Sequence, residues 1–145
     1  MNIQELIQEL LKNGFRMERD FKSYTLNDKE ISAEEFDELW NRLLVYLDNN
    51  CEKVDTVDYG VEDLWWCRVG LYRCPDIGKI GLFIKSSEGY DRFSVYTGND
   101  AWKLVKEEAI DDIQGEIEFL EPEEGTNESI EYLNNVLDEI KHMPE

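Results

Sequence analysis

The sequence predicts an α+β fold: a single domain over residues 1–145, with an antiparallel sheet of about four or five strands packed by three to four helices. Three observations predict it. The chain has 145 residues, 41% apolar and 12% aromatic, and a chain of this size buries roughly 68–70% of its unfolded surface in one core. Apolar residues recur at helical spacing near the start, after residue 32 and at the end of the chain. Between these segments, residues 52–97 alternate at strand spacing and are broken by turn residues, the pattern of a meander.

Taken in order, residues 3–13 place Ile3, Leu6, Ile7, Leu10 and Leu11 on one helical face. Asn13-Gly14 stops this helix, because glycine takes a left-handed cap conformation without a Cβ penalty. Residues 15–26 read as extended and end in the polar turn Asn27-Asp28-Lys29. Ser32 and Glu35 form a capping box ahead of the stripe Phe36, Leu39, Trp40, Leu43, Leu44 and Leu47. Asn49-Asn50 ends that helix. Strands are predicted at 52–58, 64–73, 79–86 and 91–96, with turns at Cys74-Pro75-Asp76-Ile77-Gly78 and Ser87-Glu88-Gly89. A capped helix follows from Asn99 or Asp100, with Trp102, Val105 and Ala109 on one side. The alternation Glu116, Ile117, Glu118, Phe119 predicts an exposed strand over 114–120, at a sheet edge. Glu121-Pro122-Glu123-Glu124-Gly125 is a loop, and a last helix runs from Asn127 to about His142 with Ile130, Leu133, Val136, Leu137 and Ile140 inward. No internal repeat or composition break divides the chain.

Charge is the most informative property. There are 34 acidic and 15 basic residues, a net charge of −19, against about 2–8 units for a typical small soluble domain. Such a field repels nucleic acid and anionic membranes and attracts basic protein surfaces. No stretch approaches the roughly 20 apolar residues of a membrane span. Met1-Asn2-Ile3-Gln4-Glu5 lacks the basic and apolar regions of a secretory signal. Cys51, Cys67 and Cys74 are odd in number and form no C-x-x-C pair, so a cytoplasmic protein with reduced thiols is expected.

The charge is uneven. Eleven acids lie between residues 111 and 140, with no Lys or Arg: Asp111, Asp112, Glu116, Glu118, Glu121, Glu123, Glu124, Glu128, Glu131, Asp138 and Glu139. Residues 64–106 carry seven basic and four acidic residues, a local charge of +3. Folding the first segment onto the second leaves most of the eleven facing water or a partner. Duplex DNA carries one charge per about 1.7 Å of axis, and a 16-residue helix is about 24 Å long. An acidic strand, loop and helix therefore offer carboxylates over a length comparable to about seven base pairs. The expected function is stoichiometric, non-enzymatic binding to a basic, nucleic-acid-handling protein such as a nuclease, restriction enzyme or CRISPR-type effector, whose groove the acids occupy. Small acidic inhibitors encoded by phages and mobile elements share this size and charge. Glu34, Glu35, Asp37 and Glu38, favoured near a helix N-terminus by its dipole, form a second patch. An immunity or antitoxin protein that neutralises a basic toxin is the alternative partner class.

Strand parity suggests a further face. Assigned by alternation, Trp66, Arg68 and Tyr72 fall opposite Trp65, Cys67, Val69 and Leu71, and Phe83, Lys85, Arg92 and Tyr96 of the next strands continue their face, which thus interleaves aromatics with cations. That mixture suits stacking on bases, protein hot spots, or burial under a helix. The net charge of −19 argues against direct nucleic-acid binding.

Catalytic signals are weak. The single histidine, His142, lies near the C-terminus, and no base is visible for a cysteine nucleophile. Three scattered cysteines and one histidine do not match a structural zinc site, and Gly78-Lys79-Ile80-Gly81 matches no phosphate-binding loop. No metal or cofactor is expected. The enzymatic rival is a carboxylate-dependent metalloenzyme, for which Pro75-Asp76 and Glu139-Ile140-Lys141 loosely echo a nuclease pattern. The acids Glu121, Glu123 and Glu124 lack the alternating oxygen ligands of a calcium loop.

Overall fold

The helical periodicities and the meander become α1 (Ile3–Asn13), β1 (Phe15–Asp20), β2 (Ser23–Leu26), β3 (Lys29–Glu30), α2 (Ala33–Asn50), β4 (Glu52–Val61), β5 (Trp65–Cys74), β6 (Gly78–Ser87), β7 (Tyr90–Thr97), α3 (Ala101–Leu120) and α4 (Asn127–Lys141). The structure, a computed structural model, describes residues 2–145. Its seven strands form one antiparallel sheet in the order β3-β2-β1-β7-β6-β5-β4. The α+β class holds, with more strands than predicted. The extended segment after α1 turns back twice and adds β1, β2 and β3 beside β7, with Phe15 opposite Val95 and Asp20 opposite Tyr90.

Each face of the sheet has its own apolar core. On one, α1 and α2 bury Ile7, Leu11, Leu43 and Leu47 against Met17, Leu82, Ile84 and Phe93. The Ser32–Glu35 capping box forms as predicted: the Glu35 N–H donates to Ser32 Oγ at 3.1 Å, and the Ser32 N–H reaches back to Glu35 at 3.5 Å. On the other, α3 and α4 bury Trp102, Val105, Ile113, Leu133 and Ile140 against Val69, Leu71 and Phe83. Gly81 permits this approach, since a Cβ there would lie 2.6 Å from both the Ala101 carbonyl oxygen and Val105 Cγ1. The Trp102 indole N–H lies between the carbonyls of Tyr72 and Ile80, 3.2 Å from each.

Three expectations are corrected. Residues 114–120 are not an edge strand but the last turns of α3. Val105, Ala109, Ile113 and Ile117 continue at four-residue spacing and are buried, so the helical stripe overrides the short alternation. Asp100 does occupy the N-cap position of this helix, without a side-chain capping bond. Cys51 and Cys74 form a disulfide, and Cys67 alone is a free, buried thiol. Glu52 pairs with Arg73 in the β4–β5 ladder, which brings the residues just beyond them together despite a separation of 23 in sequence. Gly14, finally, has the positive φ of 74° expected of a helix stop, but with ψ 155° it lies outside the left-handed helical region, in a conformation open essentially to glycine alone. Among the described residues no helix is long and apolar enough to cross a membrane.

Candidate functional site

The predicted aromatic and basic face does not exist as one surface. Side chains directly opposite across a ladder share a face, and Cys67 stands opposite Lys85, Val69 opposite Phe83, and Lys85 opposite Arg92. Phe83, Lys85, Arg92 and Tyr96 therefore lie beneath α3, whereas Trp66, Arg68 and Tyr72 belong to the face of α1 and α2. The cause is turn length. Pro75, Asp76 and Ile77 connect Cys74 to its partner Gly78, so even-numbered residues of β5 meet even-numbered residues of β6. Tyr72 is buried in the α1–α2 core. Arg68 lies over the Trp66 ring, 5.4 Å from its centroid, and donates to both carboxylate oxygens of Asp58 at 2.7 and 3.1 Å.

Beneath α3 the cations are held by carboxylates at helical spacing. Glu108, Asp112 and Glu116 follow one another every fourth residue beside the apolar stripe of α3. Lys85 donates to Asp112 at 2.6 Å and to Glu116 at 2.8 Å. Arg92 lies 3.6 Å from Asp112, and its Nε is 3.1 Å from Glu108. That Nε is off the line of a hydrogen bond, so the Glu108 contact is a charge pair. Ser94 and Tyr96 donate to Glu108, and Tyr59 donates to Asp112 at 3.3 Å. Asp112 is only 8% exposed and Lys85 13%. Burial works against the Lys85 charge, but the hydrogen bonds to Asp112 and Glu116 and their charges outweigh it and raise its pKa. Burial, together with the nearby Asp112 charge, pushes the Cys67 thiol and the Tyr59 phenol up. A thiol held protonated in this way is a poor nucleophile.

Two of the eleven predicted acids, Asp112 and Glu116, are thus consumed inside the fold. The other nine are exposed: Asp111 and Glu118 on α3, Glu121, Glu123 and Glu124 in the following loop, and Glu128, Glu131, Asp138 and Glu139 on α4. Among the described residues none of the nine has a Lys or Arg within ion-pair distance, and Asp138 has only His142, at 3.6 Å. Three cations near the meander are engaged elsewhere, whereas Lys53 on β4 and Lys103 on the first turn of α3 are exposed and make no ion pair among the described residues. Arg73 and Lys79 lie over Trp102, at 4.9 and 4.6 Å, and buried Lys106 donates to the Met143 carbonyl at 3.2 Å. With 20 and 15 residues, α3 and α4 extend about 30 and 22 Å. Packed side by side on one face of the sheet, they form an outer layer carrying unneutralised carboxylates.

The second patch stands apart, on α2 across the sheet. Glu34, Glu35, Asp37 and Glu38 are all exposed. Glu35 serves the capping box and Glu38 pairs with Arg42 at 3.2 Å, so Glu34 and Asp37 are its free charges among the described residues. Sequence reasoning missed Glu108, although its four-residue spacing from Asp112 beside an apolar stripe was visible. It also missed the tip of the β4–β5 hairpin, where an open cleft of about 560 Å³ is lined by Trp66, Tyr132 and three carboxylates. Comparison of the chain with protein-family models, curated proteins and solved structures found no match.

Proposed function

We propose that this chain is a non-enzymatic binding protein that inhibits a basic, nucleic-acid-handling protein by laying the outer face of α3 and α4 against its positive groove. One observation carries the reading. Nine exposed carboxylates sit on two adjacent helices and their connecting loop, with no Lys or Arg neutralising them among the described residues. Leaving such a field unpaired costs the fold self-repulsion, which a cationic partner relieves. The acids follow about 16 Å of α4 and the second half of α3, joined by the acidic loop, an array that suits a groove built for a phosphate backbone. The complementary fields accelerate encounter and make it dependent on salt.

A cytoplasmic encounter is proposed from the target class alone, because Cys51 and Cys74, expected as reduced thiols, form a disulfide. The Cys51–Cys74 bridge belongs to the α1–α2 side of the sheet, so the proposed surface does not rest on it.

The test is capture from lysate, at low salt, by the wild-type chain and by a variant with Glu121, Glu123, Glu124 and Glu128 changed to Lys. Wild type should capture a nucleic-acid-binding protein that duplex DNA displaces, that salt releases, and that the folded variant no longer captures. Capture unaffected by both the DNA and the charge reversal overturns the proposal.

A further inference from the structure

Beside the acidic layer, the tip of the β4–β5 hairpin forms the open cleft of about 560 Å³, with no Lys or Arg in its lining. Its apolar wall is unusually exposed: Leu64 is 65%, Trp66 40% and Tyr132 41% accessible. The hairpin geometry is tightly set, since a Cβ on Gly60 would lie 2.4 Å from the Trp65 carbonyl oxygen. Three carboxylates, Asp58, Glu62 and Asp63, rim the cleft. Arg68 already neutralises Asp58. Glu62 and Asp63 are exposed and make no ion pair among the described residues. Tyr132 joins the cleft to α4: its hydroxyl accepts the Gly60 N–H at 3.2 Å, and its neighbour Glu131 belongs to the acidic layer.

We infer that this cleft receives an arginine side chain of the basic partner. The inference rests on the proposed function for the partner's charge, while the cleft supplies the choice of residue. An aromatic wall with free carboxylates at its rim complements a group that is planar, cationic and weakly hydrated. Guanidinium has all three properties. Lysine's compact ammonium is strongly hydrated and has no planar face to stack. The fold shows the same recognition internally, where Arg68 stacks on Trp66 and grips Asp58 through two nitrogens. An incoming guanidinium stacks against the exposed aromatic wall and pairs with Glu62 and Asp63.

The experiment titrates the full chain with hexa-arginine, hexa-lysine and hexa-citrulline peptides by calorimetry. Wild type is expected to bind hexa-arginine about tenfold more tightly than hexa-lysine, the size of a cation–π and fork preference, and to ignore hexa-citrulline. The surface variant E62Q/D63N, and W66A where circular dichroism shows it folded, are expected to abolish the preference and leave hexa-lysine binding within about twofold. The variant reversed at Glu121, Glu123, Glu124 and Glu128 keeps an intact cleft, so it should bind both peptides more weakly and still prefer arginine. Equal affinity of wild type for the two basic peptides, no binding of hexa-arginine, or a preference unchanged in E62Q/D63N overturns the inference. If wild type shows no preference while its hexa-lysine binding still weakens in the helix-reversed variant, the cleft inference fails and the acidic-layer reading stands.

Discussion

Replacing Lys85 with Met tests whether the eleven acids divide into two internal and nine external groups. The Lys85 ammonium lies 2.6 Å from Asp112 and 2.8 Å from Glu116, with its side chain 13% exposed and that of Asp112 8%. Methionine keeps the volume of the stem and removes the charge. Asp112 then retains only Arg92, 3.6 Å away, as a charged partner. Breaking a buried pair from one side costs about 3–5 kcal/mol, because the remaining charge is stranded in a poor solvent. That is a large part of the 5–15 kcal/mol a domain possesses. Adding Asp112→Asn removes the stranded charge and should recover at least about 1.5 kcal/mol, so the cycle is strongly non-additive. Urea unfolding followed by circular dichroism gives each stability. The exposed control Glu123→Gln should stay within about 0.5 kcal/mol of wild type. A K85M loss below about 1 kcal/mol, or additive losses in the double variant, would show that Asp112 is solvated like the nine outer acids and refute the division.

Other consequences follow from the same packing. Burial keeps Cys67 and Tyr59 protonated in the folded chain, whereas in the unfolded chain they release protons near pH 8.5 and 10. The folded state then binds more protons, so stability is full below those values and falls by about 1.4 kcal/mol per pH unit per group above them. Urea midpoints from pH 7 to 10 should decline from about pH 8.5 in wild type, and C67S should delay the decline towards pH 10; identical profiles would contradict this origin. Gly81→Ala should destabilise by about 1–3 kcal/mol through the clash of its Cβ with α3, whereas Gly115→Ala, open to solvent inside that helix, should stabilise by about 0.5–1 kcal/mol in thermal melts. Removing the disulfide with C51S/C74S should cost about 3 kcal/mol for a loop closed over 23 residues, without altering peptide binding by the acidic layer.

The elements were legible wherever one local signal dominated. The Ser32–Glu35 box, the stripe of α1 and the four meander strands needed only nearest-neighbour chemistry. The end of α3 was misread because Glu116, Ile117, Glu118 and Phe119 satisfy a two-residue period locally, and only the longer run from Val105 to Ile117 exposes the helical one. The aromatic and basic face failed for a different reason. Parity within β5 is a property of that strand alone, but its match to β6 depends on the register set by the Pro75-Asp76-Ile77 turn. Pairing of Cys51 with Cys74 is likewise a fact of strand register and not of cysteine spacing. For the candidate surface, the sequence located the acids but could not separate Asp112 and Glu116 from the rest, since their partners Lys85 and Arg92 come from strands some twenty or more residues earlier.

Whether the acidic layer binds a cationic groove is decided by the affinity for a captured partner, measured against salt concentration with wild type and with the chain reversed at Glu121, Glu123, Glu124 and Glu128. Wild-type affinity should fall steeply as salt rises, duplex DNA should compete for the same partner, and the reversed chain, folded by circular dichroism, should not bind. A partner held equally by both chains, with affinity indifferent to salt and DNA, would contradict the proposed function.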